Sequence, residues 1–274
     1  MLRIMAMEIS SLTKERLKAM FAEGKRFDGR KLDEMRELQI ETDISNKAEG
    51  SARVRLGKSE VIVGVKLGPG EPYADSPEKG NIMVSAELLP IASPRFQAGP
   101  PDFNGIELPR LVDRAIRESK MIDLDKLCIK AGEKVWTVFI DIYPINDDGN
   151  LIDAANIAAL VALKIARVPE MTKEGKVDHH KEAKDKLPLA KDIVPVSFSF
   201  FKLGNSIIVD PTREEAEACE ARITFGLSKS KDKYLINSCQ KKGEAYFTGE
   251  ELARMSSMLP KLYEQVNEKL KKFL

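Results

Sequence analysis

Only three cysteines, two histidines and one tryptophan occur in 274 residues. Cys128, Cys219 and Cys239 are odd in number and far apart, without the close pairs that zinc or a dithiol motif needs, so they read as buried small hydrophobes. His179 and His180 sit in a charged connection, GKVDHHKEAKDKLPLAKD, where no Cys or carboxylate spacing supports a metal site; they read as solvated loop residues. No apolar run reaches the ~18 residues a membrane helix requires, and MLRIMAMEISS offers too short an apolar run for a secretory signal. A cytoplasmic protein without membrane contact is expected. Forty-four basic residues against forty-three acidic ones leave a net charge of +1, so no global basic field advertises a nucleic-acid partner and any such site must be local. No P-loop or dinucleotide glycine pattern is present, and no metal or other cofactor is expected.

What the chain does have is an apolar strand, VWTVFIDIYPI, turning through NDDGN into LIDAANIAALVALKIARV. Trp136, Val138, Ile140 and Ile142 alternate with Thr137, Phe139, Asp141 and Tyr143; both faces are largely apolar, which predicts a central strand. The helix after it is apolar almost all round and rich in alanine, so it should be buried with another layer close against it. The turn between them delivers a helix N-terminus, with its unpaired N–H groups, to the end of a strand, where an anion could bind if the side chains allow.

Around this centre the pattern predicts an N-terminal helix over about 8–22 with Gly24 as its stop. A first strand in RELQIETDI and a hairpin in GSARVRLGKSEVIVGVKLG follow. Next come a strand in NIMVSAELLPIA and a helix over roughly 106–121, with Pro109 limiting where its regular hydrogen bonding begins. The last third reads as four strands and a helix over about 248–273. Hairpins without regular βαβ alternation favour an α+β fold.

Three stretches taken together, RFDGR at 26–30, the DGN turn with its Ala-rich helix at 148–163, and VDPTREEAEACEARI at 209–223, resemble the RNase PH family. The resemblance covers nearly the whole chain in order and is strongest toward the non-catalytic RNase PH-like subunits of archaeal exosomes. It implies the RNase PH-like (ribosomal protein S5 domain 2-like) fold: duplicated β/α units with helices packed on mixed sheets, here a single domain over 1–274 with internal halves of roughly 30–185 and 190–274. It further implies a ring assembly that degrades RNA from its 3′ end using phosphate.

Catalytic members of that family carry Asp-Gly-Gly-Ser-Arg at the strand-to-helix turn, where Ser, Arg and the helix N-terminus hold the attacking phosphate; a multiply charged anion needs such donors to be held in line. Gapless alignment of the Ala-rich helices puts Leu151 at the Ser position and Ile152 at the Arg position, and neither side chain can donate. A second segment of the catalytic members carries two Asp residues, six positions apart, that serve metal binding or acid catalysis; laid against it without gaps, this chain has Ala216 and Arg222 there, which can do neither. No residue is therefore expected to be catalytic. Glu214, Glu215, Glu217 and Glu220 read as a solvated acidic turn, and Asp147, Asp148 and Asp153 as turn and helix-start residues.

At 100° per residue, Arg114 and Arg117 fall on either side of Arg110, opposite Leu108, Leu111, Val112 and Ala115. The residues alone favour a solvated helix face with Glu107, Asp113 and Glu118 as neighbours. The resemblance reverses that order, because it matches Arg110 and Arg114 to a pair that reaches RNA phosphates, with Arg117 a further candidate.

The expected partners are then a catalytic RNase PH-like exosome subunit, alternating three of each around a hetero-hexameric ring, RNA-binding cap proteins, and single-stranded RNA. Two other readings stay open from the sequence: an independently active phosphate-dependent exoribonuclease, and a small-molecule or nucleotide enzyme on the same fold.

Overall fold

The computed structural model describes residues 9–172, 177 and 185–273; His179 and His180 lie outside the described residues. In chain order the elements are α1 (Ser11–Ala22), β1 (Leu38–Thr42), β2 (Gly50–Leu56), β3 (Ser59–Gly70), β4 (Asn81–Ala86), α2 (Phe103–Glu118), β5 (Cys128–Lys130), β6 (Lys134–Asn146), α3 (Leu151–Ile165), β7 (Arg167–Val168) and β8 (Asp185–Lys186). They continue with β9 (Val196–Leu203), β10 (Ser206–Val209), α4 (Arg213–Ala218), β11 (Ala221–Ser230), β12 (Lys233–Gly243) and α5 (Gly249–Leu270). One six-stranded mixed sheet runs β1-β2-β3-β6-β4, with β5 pairing at the start of β6; a four-stranded antiparallel sheet runs β10-β9-β11-β12; β7 and β8 form a short ribbon.

α3 ties the two larger sheets together. It packs on β2 and β3 on one side and on β9 on the other, and every residue from Ile152 to Leu163 is buried. Small residues permit this: a Cβ on Gly50 would come within 2.2 Å of the Ala162 carbonyl, so β2 and α3 approach to backbone distance. The face of the second sheet turned toward the helices is correspondingly small. Ser199 and Thr224 share a hydrogen bond at 2.9 Å, and a Cβ on Gly226 would meet Ala115 of α2 at 3.2 Å. Phe198, Phe200, Ile223 and Phe225, of opposite alternation on β9 and β11, join Met255, Leu259 and Leu262 of α5 in the same hydrophobic core. α1 seals a smaller cluster, Leu17 and Phe21 against Phe201, Leu203 and Ile208.

Three expectations need correction. β6 is interior to its sheet, but its second face is sealed only at the start of the strand: Val135 and Thr137 are buried, whereas Phe139 and Asp141 are half-buried and Tyr143 is exposed. α2 begins three residues earlier than its apolar stripe indicates, because Asp102 caps it, its Oδ1 accepting from Gly105 N at 2.8 Å; Pro109 is accommodated inside the helix. Cys239 is exposed rather than buried, since it lies on β12, an edge strand, whereas Cys128 and Cys219 are half-buried. Among the described residues no helix is long and apolar enough to cross a membrane.

Candidate functional site

The turn from β6 into α3 is built by backbone conformation that few residues tolerate. Gly149 has φ +89° and Asn150 φ 54°, and Ser59 clamps the turn by accepting from Asp148 N at 3.0 Å and donating to the Gly149 carbonyl at 2.6 Å. A Cβ on Gly149 would lie 2.6 Å from the Pro211 carbonyl oxygen. The strand-to-helix turn of the first half therefore rests directly on the chain entering α4 in the second half.

A buried network fixes that contact. Asp210 is fully buried; its Oδ1 accepts from Arg36 Nη2 at 2.7 Å and from Asn150 Nδ2 at 2.9 Å, while its Oδ2 accepts from Arg36 N and Nε. Asn150 also donates to Asp153, whose carboxylate accepts from Ser199 N at 3.1 Å and Ser199 Oγ at 2.8 Å. Complete burial, reinforced by the neighbouring Asp210 carboxylate, pushes Asp153 up to about 7 although these hydrogen bonds oppose the shift. Arg26, the first arginine of RFDGR, is buried against Glu215 and donates to the carbonyls of Val209 and Asp210, both at 2.9 Å. Arg30, the second, donates to the Glu34 carbonyl and to Asp210.

The four positions expected to be substituted converge. Leu151, Ile152, Ala216 and Arg222 line one pocket of about 360 Å³, together with Arg95, Glu107, Asp147, Arg213, Glu217 and Lys242. Most of its charges neutralise one another. Arg95 bridges Asp147 and Glu217, and Glu107 accepts from Arg222 Nη2 at 2.7 Å and Lys242 Nζ at 2.8 Å. Burial disfavours the Glu107 carboxylate, but its bonds from Arg222 and Lys242 outweigh this and hold it below the usual carboxylate range. Burial pushes the Cys219 thiol in the same wall far up, which disfavours the thiolate there. Arg213 has no ion pair among the described residues, so the wall retains some attraction for anions. At the start of α3, however, Leu151 and Ile152 offer nothing beyond backbone amides to orient one.

The acidic turn is only partly solvated. Glu214 is exposed, but Glu215 is buried on Arg26, and as the third helical residue it closes a capping box with Thr212; Glu217 pairs with Arg95 and Glu220 with Lys14. These carboxylates face cations and a helix start rather than one another, and no group of three or more His, Cys, Asp or Glu side chains that could hold a metal ion occurs among the described residues.

The arginine face of α2 also changes in detail. Arg110 and Arg114 are exposed and have no ion pair among the described residues. Arg117 does not extend them as a third free cation. It is half-buried, it donates to Asp113 through Nε at 3.1 Å and Nη2 at 2.7 Å, and it reaches the Ile82 carbonyl at 3.0 Å. The spacing of four residues that puts Asp113 on its flank is what neutralises it.

This geometry coincides with a family match over most of the chain. The family model described as "3′ exoribonuclease family, domain 1" matches residues 34–169, and that for domain 2 matches residues 194–258. The chain belongs to the 3′ exoribonuclease family, the RNase PH family. Its fold is accordingly the RNase PH fold, with mixed sheets and packed helices. Exosome complex component Rrp42 of Methanothermobacter thermautotrophicus is 42% identical over 265 residues, 96% of this chain and 96% of that protein. A chain of the Archaeoglobus fulgidus exosome with RNA bound to the active site superposes with a TM-score of 0.85 at 40% identity, covering 94% of this chain and 98% of that one. A chain of an archaeal exosome core gives 0.81 at 38% identity, covering 95% and 96%.

Within the RNase PH fold, sequence reading singled out Leu151, Ile152, Ala216 and Arg222 but not their neighbours in the pocket. Glu107 registered only as an acid beside the arginines of α2, and Lys242 and Arg95 did not register at all. The partner of a charge across two elements leaves no local spacing to read. The one available signal for Glu107 was its position between the apolar stripe and the arginine stripe of α2, the flank that turns toward a neighbouring element.

Proposed function

We propose that this chain is the non-catalytic, structural and RNA-binding RNase PH-like subunit of an archaeal exosome, a ring that degrades RNA from its 3′ end by phosphorolysis. The observation that carries this reading is the convergence of Leu151, Ile152, Ala216 and Arg222 on one pocket. Phosphorolysis there would need side-chain donors for phosphate at the start of α3 and carboxylates opposite it. At those four positions the pocket offers two aliphatic groups, a methyl group and a guanidinium already bound to Glu107, and its carboxylates Asp147 and Glu217 are bound to Arg95. Similarity over nearly full length to exosome component Rrp42 supports the same reading.

Catalysis then belongs to an RNase PH-like partner alternating with this chain, three of each around the ring, in the cytoplasm and beneath RNA-binding cap proteins. This subunit shapes the partner's site and holds the RNA backbone through Arg110 and Arg114, whose exposed guanidinium groups suit charge-assisted contacts to phosphate. Incubation of the partner-free chain with RNA, phosphate and Mg²⁺ tests the assignment: no nucleoside diphosphate is released until the catalytic partner is added. Robust release by the chain alone would return the reading to an independent exoribonuclease.

A further inference from the structure

We infer that Phe103 is a base-stacking residue for single-stranded RNA, placed at the head of the arginine face of α2. The inference rests on the proposed role of Arg110 and Arg114 and adds to it a contact that is made to bases rather than to phosphates.

Phe103 is the first residue of α2 and is 65% exposed. It belongs to neither hydrophobic cluster. Nor does the start of the helix depend on it, because Asp102 supplies the cap. An aromatic ring so open at a rigid helix end contributes little to folding, and its surface is available to a ligand.

Its placement decides which ligand. Seven residues separate Phe103 from Arg110 and eleven separate it from Arg114, so at 100° per residue Phe103 lies about 20° from each, between the two. All three share one face, with the ring ~10 Å along the axis from Arg110 and Arg110 ~6 Å from Arg114. The first interval spans about three stacked nucleotides at ~3.4 Å each. A strand lying along α2 can therefore set a base on the ring and phosphates on the two guanidinium groups. Ile106, 49% exposed, adds apolar surface one turn from the ring.

The ring is also held in place. Lys242 Nζ lies over one of its faces, 4.5 Å from the centroid, and is itself fixed by Glu107 at 2.8 Å and Asn104 Oδ1 at 3.2 Å. With one face occupied by a cation that Glu107 and Asn104 hold in place, the other is the stacking face. An apolar protein surface fits less well, since covering Phe103 together with Arg110 and Arg114 would bury two guanidinium groups that have no acid among the described residues. A single strand satisfies the ring and the cations together.

The test uses the complex formed with the catalytic partner, an RNA oligonucleotide and its abasic counterpart, with affinity measured across a salt series. Phe103→Leu keeps apolar bulk but removes the π-face. It is expected to weaken RNA binding about 5- to 10-fold at every salt concentration, with the salt slope unchanged, while Phe103→Trp retains affinity. The abasic strand should bind the wild type and Phe103→Leu alike. Wild-type affinity in Phe103→Leu alongside weakened binding in Arg110→Ala/Arg114→Ala would overturn the stacking role and leave the phosphate role standing. If neither variant changes affinity, the RNA-binding reading of the whole helix falls. Loss of assembly in Phe103→Leu with normal assembly in Phe103→Trp would make the ring a protein contact and equally overturn the inference.

Discussion

The carboxylate of Glu107, on α2, accepts from the guanidinium of Arg222, on β11, at 2.7 Å. Arg222 stands where catalytic relatives of the RNase PH fold are expected to have a carboxylate. In this structure Arg222 is part of the packing between a helix and the second sheet, with Lys242 as a second donor to the same acid.

Replacing Glu107 with Gln leaves Arg222, largely withdrawn from solvent, without its counter-charge. A loss of about 1–3 kcal/mol at pH 7 is expected by urea denaturation. Because the folded protein holds Glu107 below its ordinary value, its stabilisation is present above the unfolded value near 4.5 and is lost as pH falls through the lower folded value. The gap between wild type and Glu107→Gln should therefore close in acid. A gap that persists unchanged at pH 3 would mean that charge is not what Glu107 supplies.

Asp153 has the opposite sign. Its folded value, pushed up to about 7, lies above the ordinary 3.8, so the native state keeps a proton that the unfolded chain has released. Its contribution is fully present below about pH 4 and is lost as pH rises to 7. Asp153→Asn can keep the acceptor for Ser199 N and Asn150 while Ser199 Oγ turns to accept from the new amide. The variant should be at least as stable as wild type at pH 8 and relatively less favoured at pH 5. Asp153→Ala, which strands Ser199 N, should cost about 1–3 kcal/mol at either pH. Chemical denaturation at the two pH values separates these outcomes.

Why Asp153 escaped sequence reading is instructive for the rest. Period-two strands, the apolar stripe of α5 and the buried Ala-rich helix were legible because each pattern reports a face of a single element. Leu151, Ile152, Ala216 and Arg222 were singled out because family resemblance supplied an expected register, and the fold brings them to one pocket. Asp153, Glu215 and Asp210 were not, since Asp and Glu at helix starts and turns are ordinary residues there. Only the packing of α3 on β9, and of RFDGR on α4, turns them into buried acceptors. Arg117 shows the same limit on a surface: its helical angle was read correctly, but its pairing with Asp113 removes it from the free cations.

Gly149 provides a test of how the two halves meet. Alanine there would be strained at φ +89° and would drive its Cβ to 2.6 Å from the Pro211 carbonyl oxygen and 2.7 Å from Arg213 N, so either the α3 turn or the start of α4 must retreat. A loss of about 2–4 kcal/mol is expected. Gly249→Ala is the control, because no atom lies within 4 Å of its added methyl group. Thermal unfolding that fails to distinguish the two variants would show that the turn and α4 are not in contact as described.

The arginine face yields the most direct functional measurement. Arg110 and Arg114 are exposed and have no ion pair among the described residues, whereas Arg117 already satisfies Asp113 and the Ile82 carbonyl. In the assembled complex, Arg110→Ala and Arg114→Ala should each reduce the salt-dependence slope of single-strand binding by about 0.7, and the double variant by about twice that, with little sequence preference. Arg117→Ala should leave the slope alone and cost only local stability, since its guanidinium contributes no free charge to a phosphate. Assembly of each variant has to be established first, because arginine stems also pack at interfaces. If the double variant assembles normally and keeps both wild-type affinity and slope, the two arginines are a solvated surface; if Arg117→Ala changes the slope as much as they do, its pair with Asp113 opens when RNA arrives.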